Sequence, residues 1–161
     1  MVCCVWIRAS LEDLDVVEQL ESSSYPADEG ADRAKLEFRI SHAQEFFMVC
    51  RRGEDVVGFV NGTLSKDSKL THESMSHHDP QGSTLCIHSV VVQESMRRQG
   101  LGRRMLRHYV EEVQGKEQVR AIALICKEYL VDFYKQCGFV MVGPSDVEHG
   151  ADPWYEMRIT K

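Results

Sequence analysis

The stretch Ser89 to Val110, SVVVQESMRRQGLGRRMLRHYV, decides the fold. Val90, Val91 and Val92 form an apolar β-branched run that reads as a buried strand. A polar turn follows, Arg97-Arg98-Gln99-Gly100-Leu101-Gly102. Beyond it Leu101, Met105, Leu106, Tyr109, Val110 and Val113 recur at helical spacing. A strand that runs through glycines into a helix leaves the first-turn N–H groups without partners inside the helix. Together with the positive end of the helix dipole and Arg97, Arg98, Arg103 and Arg104, those donors make an anion receptor. A side chain at Gly100 or Gly102 would hold a phosphate away from the backbone. Glycines between a strand and a helix are often plain turn punctuation. Four arginines within eight residues of an otherwise acidic chain favour the anion receptor. No Gly-Lys-Ser/Thr follows, so the turn is not a Walker loop, and its RxxGxG spacing is not the Rossmann fingerprint.

The 161 residues suit one domain, 1–161, with a composition ordinary for a globular protein. A formal net charge of −6 argues against general nucleic-acid binding and favours a cationic small molecule over an anionic one. The apolar runs Cys3–Ile7 and Ala121–Cys126 are too short to span a bilayer, and the N-terminus has no secretory pattern. Most of the six cysteines sit inside apolar runs, as free buried thiols do, so a reducing, cytoplasmic setting is expected. Neither Cys3-Cys4 nor the cluster His72, His77, His78 fits a zinc spacing, and no metal is expected. The histidines read as surface residues.

Along the chain, Val2–Ile7 reads as a strand. Ser10 resembles an N-cap before an amphipathic helix marked by Leu11, Leu14, Val17 and Leu20. A second helix has Ala34, Leu36, Phe38 and Ile40 as its apolar positions. Phe46–Cys50 and Val56–Leu64 flank a turn at Arg52-Gly53-Glu54-Asp55 and read as a hairpin. Lys66–Gly82 is polar and reads as a long exposed connection. Leu85–Val92 and Arg120–Cys126 read as strands. Leu130–Cys137 reads as a short helix that Gly138 ends in a left-handed conformation. Phe139–Val142 and Trp154–Ile159 complete an α/β arrangement around a mixed sheet.

Arg97–Gly102 after a Val-rich strand resembles the (Q/R)xxGx(G/A) acyl-CoA motif of the GNAT superfamily of N-acyltransferases, and the order of elements agrees over nearly the whole chain. Three further segments narrow the likeness: Leu70–Met75, His88–Val92 and Leu130–Phe139. They resemble the arylalkylamine (serotonin) N-acetyltransferases, more closely the non-vertebrate branch. The resemblance implies the GNAT fold, a mixed, mostly antiparallel sheet with helices on both faces. It also implies acetyl transfer from acetyl-CoA, as co-substrate, to a small primary arylalkylamine by direct attack in a ternary complex, in a monomer. Alternative acceptors are polyamines, diamines or protein amines, and a non-catalytic acyl-CoA-binding module is the rival of another class.

Acyl transfer to an amine needs a base or a water path, because an alkylamine of pKa ~10 is only about a thousandth neutral at pH 7. It also needs a donor to the carbonyl oxyanion and an acid for the thiolate. His88 is the base candidate. Strict strand alternation puts it on one face with Cys86, Val90 and Val92. The family's vertebrate pattern has a histidine where Cys86 stands, so His88 is left without that partner. Tyr134 is the acid candidate by resemblance, although Leu130, Phe133, Tyr134 and Cys137 also have the spacing of a core stripe. The resemblance also assigns coenzyme contacts to Val90, Val91, Val92, Arg97, Arg98, Gln99, Gly100, Leu101, Gly102, Arg103 and Tyr134. It gives acceptor contacts to Val90, Ile125 and Pro26. Asp28-Glu29 offers a rival carboxylate base, with a solvated loop charge as the default. Phe38, Phe47, Phe59, Ile125 and Trp154 are candidates for an aromatic pocket wall.

Overall fold

The Val-rich run ends the central strand of a seven-stranded sheet. The computed structural model describes residues 4–26, 29–67, 70–147 and 152–161. The strands are β1 (Val5–Arg8), β2 (Phe47–Arg52), β3 (Asp55–Ser65), β4 (Thr84–Val92), β5 (Ala121–Cys126), β6 (Val140–Pro144) and β7 (Tyr155–Thr160), in the spatial order β1-β2-β3-β4-β5-β7-β6. Only β4 and β5 run parallel; every other neighbouring pair is antiparallel. The helices are α1 (Leu14–Ser24), α2 (Arg33–His42), α3 (His72–Ser76), α4 (Leu101–Gln114) and α5 (Val131–Gln136). Among the described residues no helix is long and apolar enough to cross a membrane.

Helices cover both faces of the sheet, and the residues of α4 show why. All six residues expected from the helical period, Leu101, Met105, Leu106, Tyr109, Val110 and Val113, are buried. They pack with Val57, Val60, Leu64, Leu85 and Ile87 from β3 and β4. The Tyr109 hydroxyl donates to the Phe46 carbonyl at 2.7 Å, so the one polar group in the stripe has a partner. On the opposite face Leu14, Val17 and Leu20 of α1 and Leu36 and Ile40 of α2 pack on Phe47, Val49, Phe59 and Val91. At about 1.5–3 kcal/mol for each fully buried large aliphatic or aromatic side chain, these two layers supply the main driving force for the sheet.

Several expectations change. The first strand begins at Val5, with Val2 and Cys3 outside the described residues. In α2, Ala34 is exposed and Phe38 stacks on His42, while Arg39 is buried. The polar segment after β3 is not simply an exposed connection. Leu70 is buried within it, and Thr71 and Ser74 cap α3 reciprocally, Ser74 N–H donating to Thr71 Oγ1 and Thr71 N–H to Ser74 Oγ. A five-residue helix is too short to show an apolar period. Nor are all the histidines there plain surface groups. His78 is half-buried against Phe46, and its Nδ1 accepts the Leu64 N–H at 3.0 Å.

Strict alternation along β4 also fails. Asn61 pairs with Ser89 but Gly62 pairs with Ile87, so His88 is an extra residue, a β-bulge. Leu85 and Ile87 face α4, and so do Val90 and Val92 beyond the bulge. Cys86 and Val91 face the other way. The bulge flips the parity of the strand and leaves His88 and Ser89 together on the α1/α2 side. It sits opposite Gly62, where a Cβ would lie 2.7 Å from the Cys86 carbonyl oxygen and 3.1 Å from the Tyr109 hydroxyl. Gly62→Ala is therefore expected to destabilise the protein by about 1–3 kcal/mol. Urea unfolding should show this as a lower midpoint at unchanged slope; an unchanged midpoint would mean the bulge relaxes freely.

Candidate functional site

β4 and β5 pair only through Thr84–Ala121, Leu85–Ile122 and Cys86–Ala123. β5 then stays with β7 along its whole length, so β4 diverges from it and a wedge opens through the sheet. The wedge is a cleft of about 260 Å³ with Val90 and His88 on one wall and Ile125, Leu130 and Tyr134 on the other, while Tyr25 and Glu21 of the α1 end close it from the side. In an antiparallel pair alternate residues turn their main-chain groups toward the neighbour. Val90 turns its own into the wedge. Its N–H donates to the Tyr25 hydroxyl and its carbonyl accepts from it, both at 3.4 Å. Val91 lies opposite Phe59 in the β3 ladder, and the Val92 carbonyl accepts Arg97 Nε at 2.9 Å.

The glycine turn lies at the end of this open edge. Arg98 and Gly100 have φ of 63° and 78°, and a Cβ built on Gly100 meets nothing within 4 Å. The left-handed conformation suits glycine, and Gly100 faces open space beside the start of α4. Gly102 differs from expectation: its Cβ would make ordinary contacts with Val92 and Phe133, so packing crowds it more than Gly100. Leu101 is buried, and only its main chain can face a ligand. Arg97 also reaches Ser24 at 3.2 Å, Gln99 reaches the Ser95 carbonyl, and Arg103 reaches Gln136, all on the exposed side.

His88 and Tyr134 reach the cleft from opposite faces of the sheet. His88 Nε2 lies 2.7 Å from Thr63 Oγ1. Cys86 is fully buried, and burial pushes its thiol up to about 12, so it stays protonated at neutral pH and cannot accept a proton as the missing histidine would. The Tyr134 ring packs edge-on against Phe133 and Phe139. Burial, then the nearby Tyr25, raise its phenol well above the usual range and keep it protonated. The same desolvation lifts Cys126, also in the cleft, to about 11.

Two buried charges that line the cleft, Glu21 and Arg39, were not foreseen. Glu21 is 2% exposed; Oε2 accepts the Ala31 N–H at 2.8 Å, and the carboxylate faces the Ser89 hydroxyl and the Arg39 guanidinium. Burial raises the Glu21 carboxyl and lowers Arg39 to about 10. Arg39 is 3.4 Å from Asn61 Oδ1 beneath the cleft. Both residues lie on apolar helical stripes, Glu21 with Leu14 and Val17 and Arg39 with Leu36 and Ile40. That position is the signal that could have found them. Glu29 is likewise no solvated loop charge: its side chain is 7% exposed and paired with Lys127 at 2.8 Å. Its neighbour Asp28 lies outside the described residues. Pro26, Ile125 and Trp154 line the cleft, but Phe47 and Phe59 stack on each other in the core, and Phe38 lines a separate shallow depression.

Removing Arg39 would leave Glu21 buried without its counter-charge. Arg39→Met is expected to cost about 3 kcal/mol at pH 7. In the variant the folded-state pKa of Glu21 lies further above its unfolded value. The lost stability should therefore return as pH falls from 7 toward and below 4.5, where the carboxyl becomes protonated in both states. Denaturation at pH 7 and pH 5 checks this, and an equal loss at both would exclude the Glu21 coupling.

Residues 14–139 match the model of the Acetyltransferase (GNAT) family. The serotonin N-acetyltransferase of Mesocricetus auratus is 35% identical over 103 residues, 64% of this chain and 50% of that protein. The chain therefore matches about half the length of that relative. Two solved structures share the architecture. The loading GNATL domain of CurA from Lyngbya majuscula has a TM-score of 0.88 at 14% identity, over 98% of each chain. Arabidopsis thaliana Naa50 with the bisubstrate analogue CoA-Ac-MVNAL has a TM-score of 0.76 at 16% identity, over 98% of this chain and 99% of that one.

Proposed function

The chain belongs to the acetyltransferase (GNAT) family, and on that premise we propose that it transfers the acetyl group of acetyl-CoA to the primary amine of a small arylalkylamine, by direct attack in a ternary complex. The observation that carries this reading is the wedge between β4 and β5. It leaves the Val90 N–H and carbonyl to a phenol rather than a strand, between His88 and Tyr134. The residues fit the coenzyme: open space at Gly100, the start of a fourteen-residue helix and the neighbouring arginines suit a diphosphate. Arg97, Arg98, Gln99 and Arg103, with the main chain of Gly100, Leu101 and Gly102, would hold it there. Acetyl-CoA, when bound, supplies the thioester that the amine attacks.

The Val90 N–H, released by Tyr25, donates to the carbonyl oxygen as negative charge develops there. Val90 and Val92 offer the remaining main-chain groups of the open edge, and Val91 anchors that edge to β3. His88, oriented by Thr63, accepts the proton of the attacking amine. Tyr134 stands protonated at the opposite wall. The burial that lifts the Cys126 thiol to about 11 would also disfavour a free thiolate at this wall, and Tyr134 would give the departing sulfur its proton. Ile125, Pro26 and the side chain of Val90 flank the acceptor's apolar part. The relative named serotonin N-acetyltransferase supports an arylalkylamine as acceptor.

Thiol release from acetyl-CoA with phenethylamine, tryptamine and serotonin tests the reading. Turnover with none of them would contradict it. Gly100→Asp keeps a residue type that tolerates left-handed φ but sets a carboxylate where the diphosphate would bind; coenzyme affinity should fall more than about 100-fold. Unchanged affinity by calorimetry would remove the glycine turn from the site. His88→Ala should lower kcat about 100-fold, most strongly at low pH where the amine is hardest to deprotonate, and Tyr134→Phe about 100-fold. A His88→Ala loss that is flat with pH, or a Tyr134→Phe rate equal to wild type, would contradict the assigned role.

A further inference from the structure

Lys127 follows the last residue of β5 and enters the cleft between two carboxylates. Its Nζ lies 2.8 Å from Glu29 Oε2 and 3.3 Å from Asp152 Oδ2, and 5.8 Å from the centre of the Trp154 ring. Two carboxylates and an indole face are the surroundings a primary ammonium seeks. Two separate segments build them, the turn before α2 and the loop before β7, and the end of β5 brings Lys127 between them. This is not a solvated surface pair, since the side chains of Lys127 and Glu29 are 18% and 7% exposed. Lys127, Glu29 and Trp154 all line the same cleft as Val90 and His88.

We propose that Lys127 is a specificity-determining residue that fills the cleft's own cation site with the chain's own ammonium and so selects monoamines against diamines and polyamines. This rests on the acetyltransferase reading above. An acceptor with one amino group places it at the Val90–His88 end and meets Ile125 and Trp154 with its apolar part. An acceptor with a second ammonium at its far end meets Lys127, a like charge in a partly buried site whose carboxylates are already engaged. The discrimination expected is about 10- to 100-fold in kcat/KM and shrinks with salt, since repulsion at a partly open mouth is screened.

The experiment compares phenethylamine, its 4-aminomethyl derivative and putrescine as acceptors by thiol release. The wild-type protein should favour phenethylamine over the 4-aminomethyl derivative at least tenfold, with the gap narrowing as NaCl rises. Lys127→Met should raise the diamine-to-monoamine ratio of kcat/KM about 10- to 100-fold. Lys127→Arg should keep the wild-type ratio, and Lys127→Met combined with Glu29→Gln should lose most of the gain. A folded Lys127→Met with an unchanged ratio, or a wild-type protein that prefers the diamines, overturns the proposal while leaving the acetyltransferase reading standing. The wild-type comparison decides the matter if the variant does not fold. No thiol release with any amine takes down the acetyltransferase reading, and this proposal with it.

Discussion

β4 and β5 are joined by three residue pairs at one end and by none at the other. Main-chain groups left inside a sheet without partners are costly, so each must find something to bind. Along the open edge the Tyr25 hydroxyl takes both groups of Val90 and Arg97 takes the Val92 carbonyl. Side chains stand where a neighbouring strand would be. Unlike a strand, they can be exchanged for an extended ligand that offers its own donors and acceptors. The glycine turn, the α4 N-terminus and the cleft all lie on the line of that edge.

The surroundings of the edge follow from the same geometry. Splaying two central strands brings buried polar groups to the middle of the protein, where charge is expensive. Glu21 and Arg39 answer each other there, one held above and the other below its ordinary pKa by burial. The burial that shifts this pair also keeps Tyr134 protonated. One desolvated cleft therefore imposes a folding cost at its base and sets the proton inventory along its wall.

Much of this was legible from residue order. The period of α4, the hairpin of β2 and β3 and the left-handed Gly138, φ 99°, depend on local pattern and on backbone stereochemistry. The bulge at His88 was not, because an apolar run with every position filled reads equally well in either parity. Glu21 and Arg39 were missed because charged residues on helices ordinarily face water. Leu36 and Ile40 beside Arg39 mark the exception only once the face is known to be buried. The Glu29–Lys127–Trp154 cluster joins residues about a hundred positions apart and exists only through the sheet order. Sequence spacing carries no trace of it.

An acyl-CoA site requires the open edge of β4 and the glycine turn to bind one ligand together. Titration of the ¹⁵N-labelled protein with coenzyme A reads both at once through the amide resonances of residues 90–103. Saturating shifts at Val90, Val92 and Gly100 through Arg103, with a common dissociation constant, are the predicted result. Shifts that leave Val90 untouched, or that cluster away from the wedge, would contradict it.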